Sequence, residues 1–341
     1  MSFLRPVEPV YLVGPRSWLP ERVVTNQDVL DWMGTRARPS WITHRTGVEQ
    51  RRWVEDGQSC SDAAVAAASR LFEDAKVDRA RLVQVLLATV SGDFPTPPTS
   101  PLILPRLGLE RVGVLDLSAA CAGFTSAVHV GAALAAATGG DQLVIAADIR
   151  SKFLNREDLA TTALFGDGSA ACVVTRRAEG AHFQLIASEL AADASMADII
   201  AIRAGGSRLP HHRNDDPSKV FLKMEHGATL FMKGVENMSA GADALLRRLD
   251  LKVSDVDWVV PHQANLHLMR AVTERLGVDP ARVVETVRFT GNTSGASVGI
   301  ALAHLVEQLP LKPGQRVLLV SAGAGGASAC ALLHSLQETP S

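Results

Sequence analysis

Short, nearly unbroken apolar runs alternate along this chain with longer stretches whose apolar residues recur at helical spacing. EPVYLVG (residues 8–14), VQVLLATV within 81–90, VGVLDL (Val112–Leu117), QLVIAAD (Gln142–Asp148), Ala170–Thr175, DWVVP (Asp257–Pro261), Arg282–Phe289 and QRVLLVS (Gln315–Ser321) read as strands. Asn26–Met33, Ser61–Asp74, the short Leu102–Leu107, an Ala-rich run ending at Thr138, Phe231–Leu249, His262–Leu276 and Ala296–Gln308 read as helices. Thr25 or Asn26 is a natural cap for the first helix, and Gly139-Gly140 and Gly277 end two others. Ser91–Pro101 (SGDFPTPPTSP), Phe165–Ser169 (FGDGS) and the region 208–217 are loops or turns by their Pro, Gly and polar content. Strands followed by helices predict βα units and a parallel sheet.

The pattern also repeats. LGLERVGVLDLSAACAGF followed by GGDQLVIAAD is answered by LGVDPARVVETVRFTGNTSGAS followed by PGQRVLLVSAG, at an offset of about 170 residues. Two copies are too few for a solenoid. They predict two similar α/β halves, 1–178 and 179–341, packed together with a site near the join. The boundary falls near Arg176–Gly180.

Composition narrows the function class. A hydrophobic fraction of 47% supplies a substantial core, and a net charge of −2 leaves no electrostatic footprint for nucleic acid. Aromatics are 5%, with Tyr11 the only tyrosine, which argues against a base-stacking platform. Cys60, Cys121, Cys172 and Cys330 form no CxxC pair and no metal spacing, so reduced thiols in a cytoplasmic protein are expected, with no metal. MSFLRPVEPVYLVG lacks the basic-then-apolar pattern of a signal peptide. The Ala-rich run after Cys121 is broken by His129 and glycines, and no membrane span is expected.

Three polar residues stand where a strand gives way to a helix or turn: Cys121, His262 and Asn292. Ligands sit off the carboxyl ends of parallel strands. A cysteine at a helix start feels the positive end of the macrodipole, which favours the thiolate nucleophile. A thiolate, an imidazole and an amide together can accept an acyl group, hold a thioester carbonyl and stabilise an enolate. Singly, each has a bland alternative: a buried structural cysteine, a helix-capping histidine, a turn asparagine. Trp41 and Arg45 lie four apart and share a helical face, suited to an adenine ring and a phosphate, or to a half-buried Trp beside a surface Arg. FGDGS reads as a structural turn rather than a phosphate cradle, and the adjacent His211 and His212 lack ligand spacing.

The blocks SAACAGF, VPHQAN and GNTSGAS, with WITHRTGVEQR upstream and FGDGSAACVV between, resemble the β-ketoacyl-acyl carrier protein synthase III family of the thiolase fold, from Val10 to Leu333. The resemblance implies an α/β, thiolase-like fold of two duplicated βαβαβαββ halves in a five-layer αβαβα sandwich, assembled as a homodimer. It implies Cys121 as acyl acceptor, His262 and Asn292 on the second thioester carbonyl, and the N–H groups of Cys121 and Ala324 as an oxyanion hole. Trp41 and Arg45 match coenzyme A contacts, and the loop with Phe94 matches a segment reaching into the partner's acyl pocket. Phe231, Asn265, His267 and Ala322 fall among substrate-contact positions. Acyl-coenzyme A and the phosphopantetheine of acyl carrier protein enter as substrate carriers, with no resident cofactor.

The chain departs from the family pattern in places. His267 replaces an arginine at the tunnel mouth, Met232 a lysine, and Ala322 a phenylalanine beside the nucleophile; Ala327-Ser328-Ala329 replaces TWG. The expectation is a Claisen-condensing acyltransferase with a specialised role, such as polyketide priming. Alternatives are housekeeping initiation of fatty-acid synthesis from acyl-coenzyme A and malonyl-acyl carrier protein, and a catalytically silent dimerisation partner.

Overall fold

The computed structural model describes residues 1–75 and 77–337. In chain order the strands are β1 (Ser2–Leu4), β2 (Val10–Trp18), β3 (Val23–Thr25), β4 (Gln50–Arg52), β5 (Leu82–Ala88), β6 (Gly113–Leu117), β7 (Asp141–Asp148), β8 (Gly168–Thr175), β9 (Phe183–Ala192), β10 (Ile200–Ala201), β11 (Lys223–Met224), β12 (Trp258–Pro261), β13 (Arg316–Ala322) and β14 (Ala327–Ser335). The helices are α1 (Asn26–Trp32), α2 (Pro39–Thr46), α3 (Cys60–Ala75), α4 (Ser100–Ile103), α5 (Gly123–Thr138), α6 (Leu159–Thr162), α7 (Gly227–Arg248), α8 (Leu266–Leu276), α9 (Val287–Thr290) and α10 (Ser297–Gln308).

The main sheet runs β12-β13-β14-β9-β2-β8-β7-β5-β6, with β1 on β9. It is mixed, not parallel as the strand–helix alternation suggested. β6, β5 and β7 are parallel, β8 and β2 antiparallel, and the pattern mirrors through the antiparallel β2–β9 pair to β14, β13 and β12. The run 282–289 is not a strand. Val283 makes one parallel bridge to Val259, and the chain then turns into α9. That bridge stands beside β12 as β6 stands beside β5, so the strand order reads alike from either end. Besides the short β1, β3, β4, β10 and β11, the long strands β9 and β14 escape the periodicity; both are largely buried on both faces and lack clean alternation.

Helix contacts set the layering. α3 packs on β2, β7 and β8, whereas α7 packs on β9, β13, β14 and α8. Between them, α5 touches both β5, β7, β8 and β9, β13, β14, and α10 touches β2, β8, β12 and β13 as well as α5. Central helices between two sheet surfaces must be apolar nearly all round. α5 accordingly buries Phe124, Ala127, Val128, Ala132 and Ala135, and Gly131 lets it settle on Val144. This is also why Ala120–Thr138 is long and apolar enough to cross a membrane, contrary to the sequence expectation; it is mostly buried inside the protein. Gly139, at φ 70°, ends α5 by returning its N–H to Ala135 O.

Candidate active site

Cys121 lies in the tight turn Ala120–Ala122 between β6 and α5, with Ala120 held at φ 45°. Small neighbours are required. A Cβ at Gly323 would lie 2.6 Å from the Cys121 N, so the turn after β13 rests directly against the cysteine backbone. From that turn Ala324 offers its N–H to the sulfur. Ser294 Oγ stands 3.9 Å from Sγ on another side.

The thiol is not ionised at rest. Burial pushes its pKa up to about 11, against the lowering influences of Ser294, of the Arg150 charge and of the Ala324 N–H. Desolvation, the largest of these influences, opposes the thiolate that a helix start favours.

His262 follows β12 directly, its N–H donating to Val320 O at 2.8 Å. Its Nδ1 lies 2.6 Å from Ser297 Oγ at the start of α10, which leaves Nε2 for the cleft. Burial holds its pKa down to about 4, so the ring is neutral at pH 7. Asn292 is fixed more tightly. Its Oδ1 accepts from Ser294 N at 2.9 Å, its N–H donates to Leu164 O, and its C=O accepts from Gly166 N. With the side-chain oxygen occupied, the Nδ2 donors are what Asn292 presents.

These residues share one cleft of about 210 Å³, whose walls include Cys121, His262, Asn292, Phe165, Phe231, Asn265, Leu268, Ala322 and Ala324. Most of the wall is apolar, with Met196, Met224, Leu230 and Met238 among the rest. The Nδ2 donors of Asn292, the imidazole of His262 and the Cys121 sulfur thus belong to one cleft.

The remaining expected residues fall around this cleft. Asn265 caps α8, its Oδ1 accepting from Leu268 N. Trp41 and Arg45 do share a face of α2, the guanidinium 5.0 Å from the ring centroid, and border a neighbouring groove joined to the cleft by Leu164. His267 is exposed and donates from Nε2 to His44 O, tying α8 to α2. Phe94 is 58% exposed and is not among the cleft walls. FGDGS proves structural: buried Asp167 accepts from Val54 N, Ser151 N and Ser151 Oγ, and burial pushes its pKa up to about 6. No group of three or more metal-binding side chains occurs among the described residues.

Sequence reasoning missed the supports. Asp148, fully buried at the end of β7, accepts from Val90 N, Ser91 Oγ and Gly295 N and so joins the loop after β5 to the turn carrying Asn292. A carboxylate ending an otherwise apolar strand was the available signal. Ser294 and Ser297 lay inside the GNTSGAS block but carry no chemistry that singles them out in sequence.

The family model described as 3-oxoacyl-[acyl-carrier-protein (ACP)] synthase III matches residues 115–194, and the corresponding C-terminal model matches residues 246–335. The β-ketoacyl-[acyl-carrier-protein] synthase III of Nitratidesulfovibrio vulgaris is 36% identical over 96% of this chain and 99% of its own. The chain belongs to the 3-oxoacyl-[acyl-carrier-protein] synthase III family. The crystal structure of that synthase from Pseudomonas aeruginosa superposes with a TM-score of 0.89 at 32% identity, covering 98% of this chain and all of the other. The priming β-ketosynthase of the R1128 polyketide biosynthetic pathway gives 0.87 at 31% identity, covering 99% of each. The fold is thus the thiolase-like α/β fold of these condensing enzymes. The synthase III is an acyltransferase named for 3-oxoacyl groups on acyl carrier protein.

Proposed function

We propose that Cys121 accepts the acyl group and that His262 and Asn292 direct carbon–carbon bond formation onto it. The Cys121 sulfur attacks the acyl carbonyl of a coenzyme A thioester, and the coenzyme A thiol leaves with the proton that the sulfur gives up. The N–H groups of Cys121 and Ala324 hold the oxyanion of that step. A malonyl thioester then binds with its carbonyl oxygen against Nδ2 of Asn292 and the His262 ring. Loss of carbon dioxide leaves an enolate, whose α-carbon attacks the acyl-cysteine, and the 3-oxoacyl thioester departs as the Cys121 sulfur is released. The observation that carries this reading is the pinned Asn292 amide: with Oδ1 spent on Ser294 N, the group faces a developing oxyanion as a pure donor. A silent dimerisation partner has no use for it.

In this reading Trp41 and Arg45 take the adenine and phosphate of coenzyme A, Phe231, Asn265, His267 and Ala322 line the pantetheine path, and the halves are 1–178 and 179–341. The protein acts in the cytoplasm as a homodimer. The free edge of β6, with Leu115 exposed, and the projecting Phe94 beside it supply a surface for a second copy. Light scattering of the purified chain reads the mass directly, and a monomer at micromolar concentration sinks that assignment.

Intact-protein mass spectrometry tests the chemistry. Acyl thioesters should add one acyl mass to the protein and none to Cys121→Ala, and malonyl-acyl carrier protein should discharge it as a 3-oxoacyl product. An ester or amide product overturns the condensation. Housekeeping initiation is supported by the synthase III relatives and polyketide priming by the R1128 neighbour. Loading by acetyl-coenzyme A in preference to longer donors selects the first; refusal of acetyl selects a specialised primer.

A further inference from the structure

Two arginines are sealed inside this protein, and they are treated differently. Arg51 spends its fork on Val24 O, Asn26 Oδ1 and Ala163 O. Arg150 is 5% exposed, yet its side chain makes no hydrogen bond and no ion pair with any described residue. The nearest buried carboxylates are engaged elsewhere: Asp148 on Val90 N, Ser91 Oγ and Gly295 N, and Asp167 on Val54 and Ser151. Buried charges in proteins are paired, because leaving one without a counter-charge is expensive. An arginine in this state is waiting for an anion.

Its place says which anion. Arg150 lies two residues past the end of β7, which is separated only by β5 from β6, the strand that leads into Cys121. Its guanidinium rests against the rings of Phe153, at 5.9 Å, and Phe165, at 5.7 Å, and Phe165 is a wall of the Cys121 cleft. None of its nitrogens is among the buried side-chain atoms that lack a partner, so each keeps some accessible surface. Asp167 anchors the following Ser151 backbone, which fixes the cation in place. The charge is felt at the Cys121 sulfur, where it favours the thiolate.

We propose that Arg150 receives the free carboxylate of the acyl group carried on Cys121, so that the preferred donor is the monothioester of a dicarboxylic acid. This deepens the acyl-transfer reading above and rests on it. The fork of a guanidinium matches a carboxylate with two parallel hydrogen bonds, and the flanking phenyl rings keep water from competing. The carboxylate of the malonyl partner is the wrong occupant. An ion pair there would stabilise the group that has to leave as carbon dioxide, and so would oppose the condensation.

The test uses the first half-reaction alone, with no malonyl partner present. Loading of the full chain is followed by intact-protein mass spectrometry with succinyl-, glutaryl- and adipyl-coenzyme A against butanoyl-, pentanoyl- and hexanoyl-coenzyme A, and repeated with Arg150→Leu and Arg150→Lys. Expected is a preference of about tenfold or more for at least one dicarboxylic donor over its alkyl match. Arg150→Leu should slow that donor by about a hundredfold more than the alkyl one, inverting the preference, with Arg150→Lys between. Alkyl donors loading as fast as every dicarboxylic one, or Arg150→Leu slowing both classes alike, overturns the proposal while leaving acyl transfer to Cys121 standing. Failure of every thioester to load overturns the acyl-transfer reading, and this proposal falls with it.

Discussion

The turn at Ala119–Gly123 and the turn at Gly291–Gly295 occupy matching places in the two halves of the strand order, and they use one backbone device for opposite ends. Each leads into a helix through a tight turn, and each holds one non-glycine residue in the left-handed region, Ala120 at φ 45° and Ser294 at φ 52°. They pack back to back: a Cβ on Gly295 would lie 2.8 Å from Ala120 O, and one on Gly123 would lie 3.2 Å from the Gly295 Cα. In the first turn the side chain at the bend is left open to the cleft. In the second the backbone is tied down, by Ser294 N on Asn292 Oδ1, Gly295 N on Asp148, and Asn292 N–H on Leu164 O. A residue that must change its bonding during a reaction is kept loosely partnered; a donor that must not reorganise is locked.

The strongest way to break the contrast is Asn292→Asp. The new carboxylate still accepts from Ser294 N, so the turn keeps its shape, but an anion replaces the Nδ2 donors. Malonyl-dependent product formation should fall by about a thousandfold while acyl loading of Cys121 continues. Loading lost together with condensation would mean that the two turns do not divide the labour.

The next test is pH. His262 lies beside the locked turn through Ser297, and its folded pKa, about 4, is below the ordinary histidine value of 6.5. The folded state therefore binds fewer protons than the unfolded chain between those values. Its contribution is complete above pH 6.5 and is lost as pH falls toward 4, up to about 3 kcal/mol. Urea midpoints at pH 7.5 and 4.5 should separate further for the native chain than for His262→Gln. Equal separations would show that the ring is not held neutral.

Gly295→Ala asks whether the back-to-back packing matters. Its Cβ would press on Ala120 O and lie 3.0 Å from Asp148 Oδ2, both on rigid elements. A destabilisation of about 1–3 kcal/mol is expected in urea unfolding. A change below about half a kcal/mol would show that the turns can part freely.

How much of this was readable from sequence follows from the same contrast. Cys121, His262 and Asn292 were visible because each interrupts a strand-to-helix passage with a residue type that does chemistry, and the structure brings all three to one cleft. The repeat was visible because buried strands and small-residue turns recur in the same order. What stayed hidden depended on long-range pairing. The mixed sheet hinges on β2 meeting β9 antiparallel, which no local pattern encodes. Arg282–Phe289 has strand-like composition but only Val283 finds a partner. Asp148 and Arg150 looked like the polar end of a strand, and only the assembled core shows one of them saturated and the other alone.

The smallest effect probes the open turn itself. With its pKa near 11, the Cys121 thiol is ionised in only about one molecule in ten thousand at pH 7. Because only the thiolate reacts, its alkylation by iodoacetamide should quicken about tenfold per pH unit from 7 to 10, with no plateau. Ser294 sits 3.9 Å from the sulfur, a distance at which a hydroxyl gives weak support, so Ser294→Ala should slow alkylation at fixed pH by only a fewfold. A plateau beginning near pH 8.5 would place the sulfur in water rather than behind the two turns. In that case burial could not be what holds this thiol protonated.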